Sequence, residues 1–240
     1  MTDDAPAVDD RDLDGFDPYD AFDLEADRVR AFLEGLDDAG WAAPTRCTAW
    51  DRRAMLGHLD ATEDYHHACL DDALGPLMET YMAAGVTDMD SANAFGVVRR
   101  ADGDTAELIA HWYEANAETR RRFRERDGGT LATMAGQYPV RWQAFHIADE
   151  LATHADDMGV PVTAEDAPAR RAWRAAFARF ALHEGHPEVA PRAVDGGTEV
   201  TVDGQNHVLD DDEVVLAVMG RLPDDTSVPP AVAAALALMA

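Results

Sequence analysis

Apolar side chains recur every three to four residues in four long stretches of this 240-residue chain. Only helices that each bury one face satisfy such a pattern. Ala21 to Asp38 presents Phe22, Val29, Phe32, Leu33 and Leu36 before Gly40 stops it. From about Trp50 to Leu74 the stripe runs through Met55, Leu59, Thr62, His66 and Cys69; Thr48 with Asp51 resembles a capping box and Gly75-Pro76 closes the helix. Thr105 to Arg126 turns Leu108, Trp112, Ala115, Thr119 and Phe123 inward and ends at Gly128-Gly129. Val140 to Met158 is entered after Pro139 and left through Gly159 and Pro161. Four helices with one apolar face each predict an antiparallel bundle, a mainly α fold.

Past this block the period changes. Ala167 to Glu184 reads as a fifth helix, with Trp173, Phe177 and Phe180. After Gly185, residues Glu199 to Leu209 alternate with period two around Asp203-Gly204, a hairpin signal, and Asp210 with Glu213 caps a helix through Arg221. Residues 78–100 give no clear period because Gly85 and Gly96 interrupt it; Asn93-Ala-Phe-Gly-Val reads as either a short helix or a pocket loop. At the start, residues 1–25 hold ten acids and one arginine, which predicts an acidic disordered arm. The expected organisation is an arm over 1–18, a helical bundle over 19–165 and a small α/β C-terminal domain over 166–240.

Charge excludes several function classes. With 47 acids against 20 bases, every base an arginine, the formal charge is −27. Nucleic-acid binding is disfavoured, since that affinity rests on neutralising phosphates, and an anionic membrane surface is disfavoured for the same reason. The longest unbroken apolar run, Ala231 to Ala240, is about half a membrane span. With two cysteines, Cys47 and Cys69, and no secretory signal pattern, a soluble cytoplasmic protein is expected. No P-loop or Gly-rich dinucleotide fingerprint is present, so nucleotide cofactors lack support. Nothing in the pattern fixes an oligomeric state.

The histidines carry the chemistry. His146, Glu150 and His154 fall at i, i+4 and i+8 of the fourth predicted helix, so Glu150 and His154 point the same way and can share one ion. A third ligand from a neighbouring helix would complete a three-ligand divalent metal site with open positions. His58 is the natural third, set between Leu56 and Leu59 where a solvated histidine would be out of pattern. Spacing alone leaves open an exposed polar stripe and a satisfied core histidine. His66, two turns after His58, is a candidate pocket residue; Cys47 is expected to pack beside Trp50, and Cys69 to fill the core. Arg120 to Arg126 reads as a basic helix end answering the dipole and nearby acids.

Trp41-x2-Pro-Thr-Arg-Cys-Thr-Ala-Trp50, Arg53-x4-His58-Leu and Glu150-x3-His154-Ala-Asp156-x2-Gly159 together resemble the mycothiol-dependent maleylpyruvate isomerase family of the DinB-like superfamily. Asp90-x2-Asn93-x2-Gly96 and the tail ending in Gly220-Arg221 extend the resemblance over most of the chain. It implies a DinB-like four-helix bundle followed by a small α/β domain. It also implies a zinc-type site of His58, Glu150 and His154, a catalytic arginine at Arg221, and mycothiol as cofactor. The implied partners are a low-molecular-weight thiol and an electrophilic small molecule, in an isomerase or S-transferase reaction. The sequence departs from the family pattern at Thr48-Ala49, where Pro-Gly is usual, and at His146, an added histidine suited to a substrate role with His66 and Asn93. The same ligands would serve a metal-activated hydrolase or a non-catalytic metal-holding protein. They also suit nickel, iron or manganese.

Overall fold

The computed structural model describes residues 8–238. Residues 1–7 of the expected acidic arm, and 239–240, lie outside the described residues. The chain divides into two compact units, residues 17–161 and residues 8–16 with 162–238.

The first unit is built on four long helices: α1 (Pro18–Glu34), α3 (Arg52–Leu70), α6 (Thr105–Glu125) and α7 (Val140–Met158). Between them lie α2 (Asp38–Trp41), α4 (Leu74–Ala83), α5 (Met89–Arg99) and a hairpin of β1 (Thr130–Thr133) and β2 (Gly136–Pro139). Local chemistry sets the helix starts. Asp17 accepts from the amides of Tyr19 and Asp20, and Asp104 from those of Ala106 and Glu107, which satisfies otherwise unpaired N–H groups. The expected Thr48 cap is corrected: Asp51 is the N-cap of α3, its side chain accepting from Ala54 N, so the helix starts at Arg52. Gly75-Pro76 does not end structure either. α3 stops at Leu70, and the Gly-Pro pair sits in the first turn of α4, where a missing proline N–H costs nothing.

Side-chain pairs reveal how the helices run. Tyr19, Asp23 and Asp27 of α1 bond to Asp127, Arg120 and Tyr113, so α1 and α6 are antiparallel. Asp60, Glu63 and Asp71 meet His111, Asn116 and Arg122, so α3 and α6 run the same way. The segment carrying α4 and α5 is therefore a crossover. α3 is antiparallel to α7, with Arg52 Nε donating to Met158 O at 2.9 Å. The core of this unit holds Phe22, Val29, Leu33, Met55, Leu56, Trp112, Phe123, Phe145 and Met158. Burial on α6 is not confined to the apolar stripe, since Asn116 and Arg120 are also buried and Leu108 is only half-buried.

In the second unit α8 (Ala167–Gly185) buries Trp173, Phe177 and Phe180. A three-stranded antiparallel sheet, β3 (Arg192–Val194), β4 (Gly197–Val202) and β5 (Gln205–Leu209), follows in sequential order. β4 buries Thr198, Val200 and Val202 alternately, and pairs Val202 with Gln205 across the Asp203-Gly204 turn. α9 (Asp211–Val218) starts at the capping box of Asp210 and Glu213, and α10 (Pro230–Leu236) completes the unit. Residues 11–13 form a 3-10 turn in which Leu13 is buried, and Arg179 Nε donates to Asp12 at 2.7 Å. Among the described residues no helix is long and apolar enough to cross a membrane.

Candidate metal centre

Two helices of the first unit supply the donors. On α7, Glu150 and His154 lie one turn apart on one face; on α3, His58 is placed opposite by the antiparallel packing. His58 Nε2 lies 3.2 Å from His154 Nε2 and 3.6 Å from Glu150 Oε1. One ligand atom from each of the three falls within 4.8 Å of the others. Two imidazole lone pairs facing each other at that distance repel unless a proton or a cation lies between them. In a tetrahedral zinc site with bonds of about 2.0–2.2 Å, neighbouring donors stand about 3.3–3.6 Å apart, so the residues fit a divalent ion. The Trp50 ring packs on His58, centroids 4.9 Å apart at 31°. His58 is buried and the Glu150 side chain is 34% exposed, so the cluster opens on the carboxylate side.

The electrostatics divide the pair of imidazoles. Burial pushes the His58 pKa down, outweighing the Glu150 carboxylate that favours its charged form. Burial also opposes charge on His154, but the hydrogen bonds with Asp157 and Cys47 and the charge of Glu150 prevail and raise it to about 9. For Glu150, burial works against the anion; the His58 hydrogen bond and the charges of His58, His154 and His66 overcome it and hold the carboxyl at about 2. Without a cation, the site keeps a proton between its rings and a carboxylate beside them.

Asp157 is a candidate site residue that the sequence reading missed. Its Oδ2 lies 3.3 Å from His154 Nδ1 and 3.3 Å from Cys47 Sγ. Such a carboxylate fixes the Nδ1–H tautomer, leaving Nε2 as the ligand atom. The resemblance had placed Asp156 in the motif; the residue on His154 is Asp157, because i+3 shares a helix face and i+2 does not. Cys47, expected beside Trp50 alone, is carried here by the 42–51 loop, whose Arg46 N–H donates to Asp157 O at 3.1 Å. The end of α7 is set by Gly159, whose φ of 76° lets Val160 N–H reach back to Ala155 O at 2.9 Å.

Each remaining candidate has its own surroundings. His66 is buried, with Nδ1 3.3 Å from Glu63 Oε2. His146 Nε2 lies 3.0 Å from the Tyr138 hydroxyl of β2. Asn93 is half-buried on α5. Arg221 belongs to the second unit; its N–H donates to Leu216 O at 2.7 Å where α9 ends, and its guanidinium donates to Met219 O at 3.2 Å. Cys69 is buried. The arginines at the end of α6 are paired: Arg120 and Arg124 with Asp23, Arg121 with Glu125, Arg122 with Asp71.

Comparison with known proteins adds the following. Residues 22–159 match the family model of the mycothiol maleylpyruvate isomerase N-terminal domain. The crystal structure of the mycothiol-dependent maleylpyruvate isomerase is similar at 14% identity and a TM-score of 0.57, over 86% of this chain and 89% of that one. A crystal structure of a single-substitution mutant of that isomerase aligns at 14% identity and a TM-score of 0.55, over 85% of this chain and 88% of that one. At such identity the likeness is one of fold. No curated protein matches the chain.

Proposed function

The chain belongs to the family of the mycothiol maleylpyruvate isomerase N-terminal domain, and we propose from that premise that it is a metal-dependent enzyme using mycothiol as its nucleophile. The reaction is either cis–trans isomerisation of a maleylpyruvate-like dioic acid or transfer of the thiol to an electrophile. The observation that carries the reading is the convergence of His58, Glu150 and His154 on one point, with two ring nitrogens 3.2 Å apart.

A divalent cation held there, zinc by preference for two nitrogens and one oxygen, would deprotonate a coordinating thiol at neutral pH. The protein's own residues do the rest. Two neutral imidazoles and one carboxylate leave the centre one positive charge, which favours an anionic sulfur. Asp157 holds the His154 ring in the tautomer that ligates. Trp50 shields His58 from water. Arg221 takes a substrate carboxylate through its planar fork of donors, while His66, Asn93 and His146 bind substrate. A cytoplasmic setting suits this chemistry, with both cysteines free and a low-molecular-weight thiol as reactant.

The test is turnover of a maleylpyruvate-like acid and of several electrophiles by cation-loaded protein, with and without thiol. The reading expects activity that needs both, and that His58→Ala abolishes while the circular dichroism spectrum is kept. Turnover without thiol would make the protein a hydrolase of the same fold, and equal turnover by His58→Ala would remove the metal centre from the reaction.

A further inference from the structure

His154 faces donors on both of its nitrogens. Nε2 looks toward His58 and Glu150, while Nδ1 looks toward Asp157 and Cys47. Cys47 Sγ, His154 Nδ1 and Asp157 Oδ2 also lie within 4.8 Å of one another, with Asp157 Oδ2 at 3.3 Å from each of the other two, the donor spacing of a small tetrahedral ion. His154 and Asp157 stand at i and i+3 on α7, and Cys47 is brought to them by a loop whose backbone is tied to Asp157. We infer that Cys47, His154 and Asp157 form a second cation site, selective for thiophilic ions, whose occupancy excludes the catalytic cation.

Donor chemistry sets the selectivity. The site at Nε2 offers two nitrogens and an oxygen, whereas the site at Nδ1 offers a thiolate, a nitrogen and an oxygen, and sulfur favours soft cations such as cadmium. Charge sets the stability. A divalent ion with a thiolate, a carboxylate and a neutral imidazole is electrically neutral, which a half-buried position tolerates better than a net charge. On binding, the Cys47 S–H bond breaks and its proton passes to solvent as the sulfur–metal bond forms. In the metal-free protonated ring the His154 Nδ1 proton likewise passes to solvent and Nε2 keeps its own; where the ion displaces a cation from Nε2, the single ring proton moves from Nδ1 to Nε2. A neutral imidazole has one lone pair, so a ring ligated through Nδ1 has an N–H where the catalytic cation would bind. The inference rests on the proposed catalytic centre for this exclusion, though the second site itself uses no atom of His58 or Glu150.

The experiment uses cadmium as the probe and thiolate-to-cadmium charge-transfer absorption as the readout. In the full-length His58→Ala/Glu150→Gln chain, which removes two donors of the catalytic centre, the absorption is expected to appear and saturate at one cadmium per chain. Adding Cys47→Ser abolishes it, while Cys69 remains as an internal control. In wild-type protein loaded with one zinc, each cadmium bound is expected to release one zinc, measured with a zinc-binding dye. Absence of the band in the folded double variant overturns the site, as does its persistence after Cys47→Ser. Cadmium binding with zinc retained overturns the exclusion. Should the double variant fail to fold by circular dichroism, Glu150→Gln alone carries the same test. Zinc binding by Cys47→Ser reports on the catalytic centre separately, so the two readings fail independently.

Discussion

Helix α3 carries two polar clusters two turns apart, and they are built on opposite principles. Around Glu63 every donor is matched: Asn116 Nδ2 donates to Oε1 at 2.7 Å, Thr119 Oγ1 to Oε2 at 2.5 Å, and His66 Nδ1 stands 3.3 Å from Oε2. Arg120 Nε donates in turn to Asn116 Oδ1 at 2.9 Å and pairs with Asp23. Around His58, two ring nitrogens face each other, and among the described residues Nδ1 of His58 has no hydrogen-bond partner. A closed network holds helices together; an arrangement whose lone pairs converge calls for a proton or a cation between them. Histidine on a buried helix face is thus uninformative until its partners are known.

Substitutions break this comparison in order of size. Removing His58 takes one of three ligands, so His58→Ala is expected to lose turnover and, on a Cys47→Ser background, stoichiometric zinc binding, with the melting temperature of metal-free protein kept or raised, as read by calorimetry and activity assay. At the closed network the pattern inverts. Glu63→Ala leaves a buried imidazole without its counter-ion and is expected to cost about 3–5 kcal/mol of unfolding free energy in urea titration while zinc stoichiometry stays unchanged. Burial alone would raise the Glu63 carboxyl, but the charge of His66 and hydrogen bonds from His66, Thr119 and Asn116 hold it below the usual carboxylate range. A lowered folded pKa means stability that is fully present above the unfolded value near ~4.3 and lost as pH falls through the folded one. Glu63→Gln should therefore flatten the acid limb of a stability–pH curve.

Smaller effects sharpen the contrast. Asp157→Asn replaces the charged acceptor that fixes His154 with a neutral amide, so zinc affinity should fall about 10- to 100-fold in competition with a chelator, with little change in stability. Ligation also requires His154 to give up a proton it holds up to about pH 9 in the metal-free state. Zinc affinity should accordingly rise about tenfold per pH unit from 7 toward that value and then level off, with about one proton released per ion at neutral pH. An affinity that does not change with pH would contradict the shared-proton state of the centre.

How far the sequence reached depends on whether a signal was local. The ends of α7 coincide with the reading Val140 to Met158 because Pro139 and Gly159 are unambiguous boundary residues. The Asp203-Gly204 hairpin and the Asp210–Glu213 capping box were equally readable, since turn and cap chemistry is written in adjacent residues. α4 was not, because none of its residues is buried, and a helix without a buried face leaves no periodic stripe. The β1–β2 hairpin escaped notice because four-residue strands give too few alternations to count. On α6 the buried Asn116 and Arg120 were invisible to an apolar period, since hydrogen bonds and an ion pair, not hydrophobicity, put them inside. His58, Glu150 and His154 were named from helical spacing, and the fold brings them together. Asp157 was within reach of the same i+3 rule. Cys47 was not, because its approach depends on a loop closing over 110 residues of chain.

The most direct test of the metal centre is calorimetric titration of metal-free protein with zinc on a Cys47→Ser background, where only the three-ligand centre is left intact. One zinc per chain is expected for Cys47→Ser and for Cys47→Ser/Glu63→Gln, and none for Cys47→Ser/His58→Ala. Equal binding by all three would contradict the assignment of His58 to a cation.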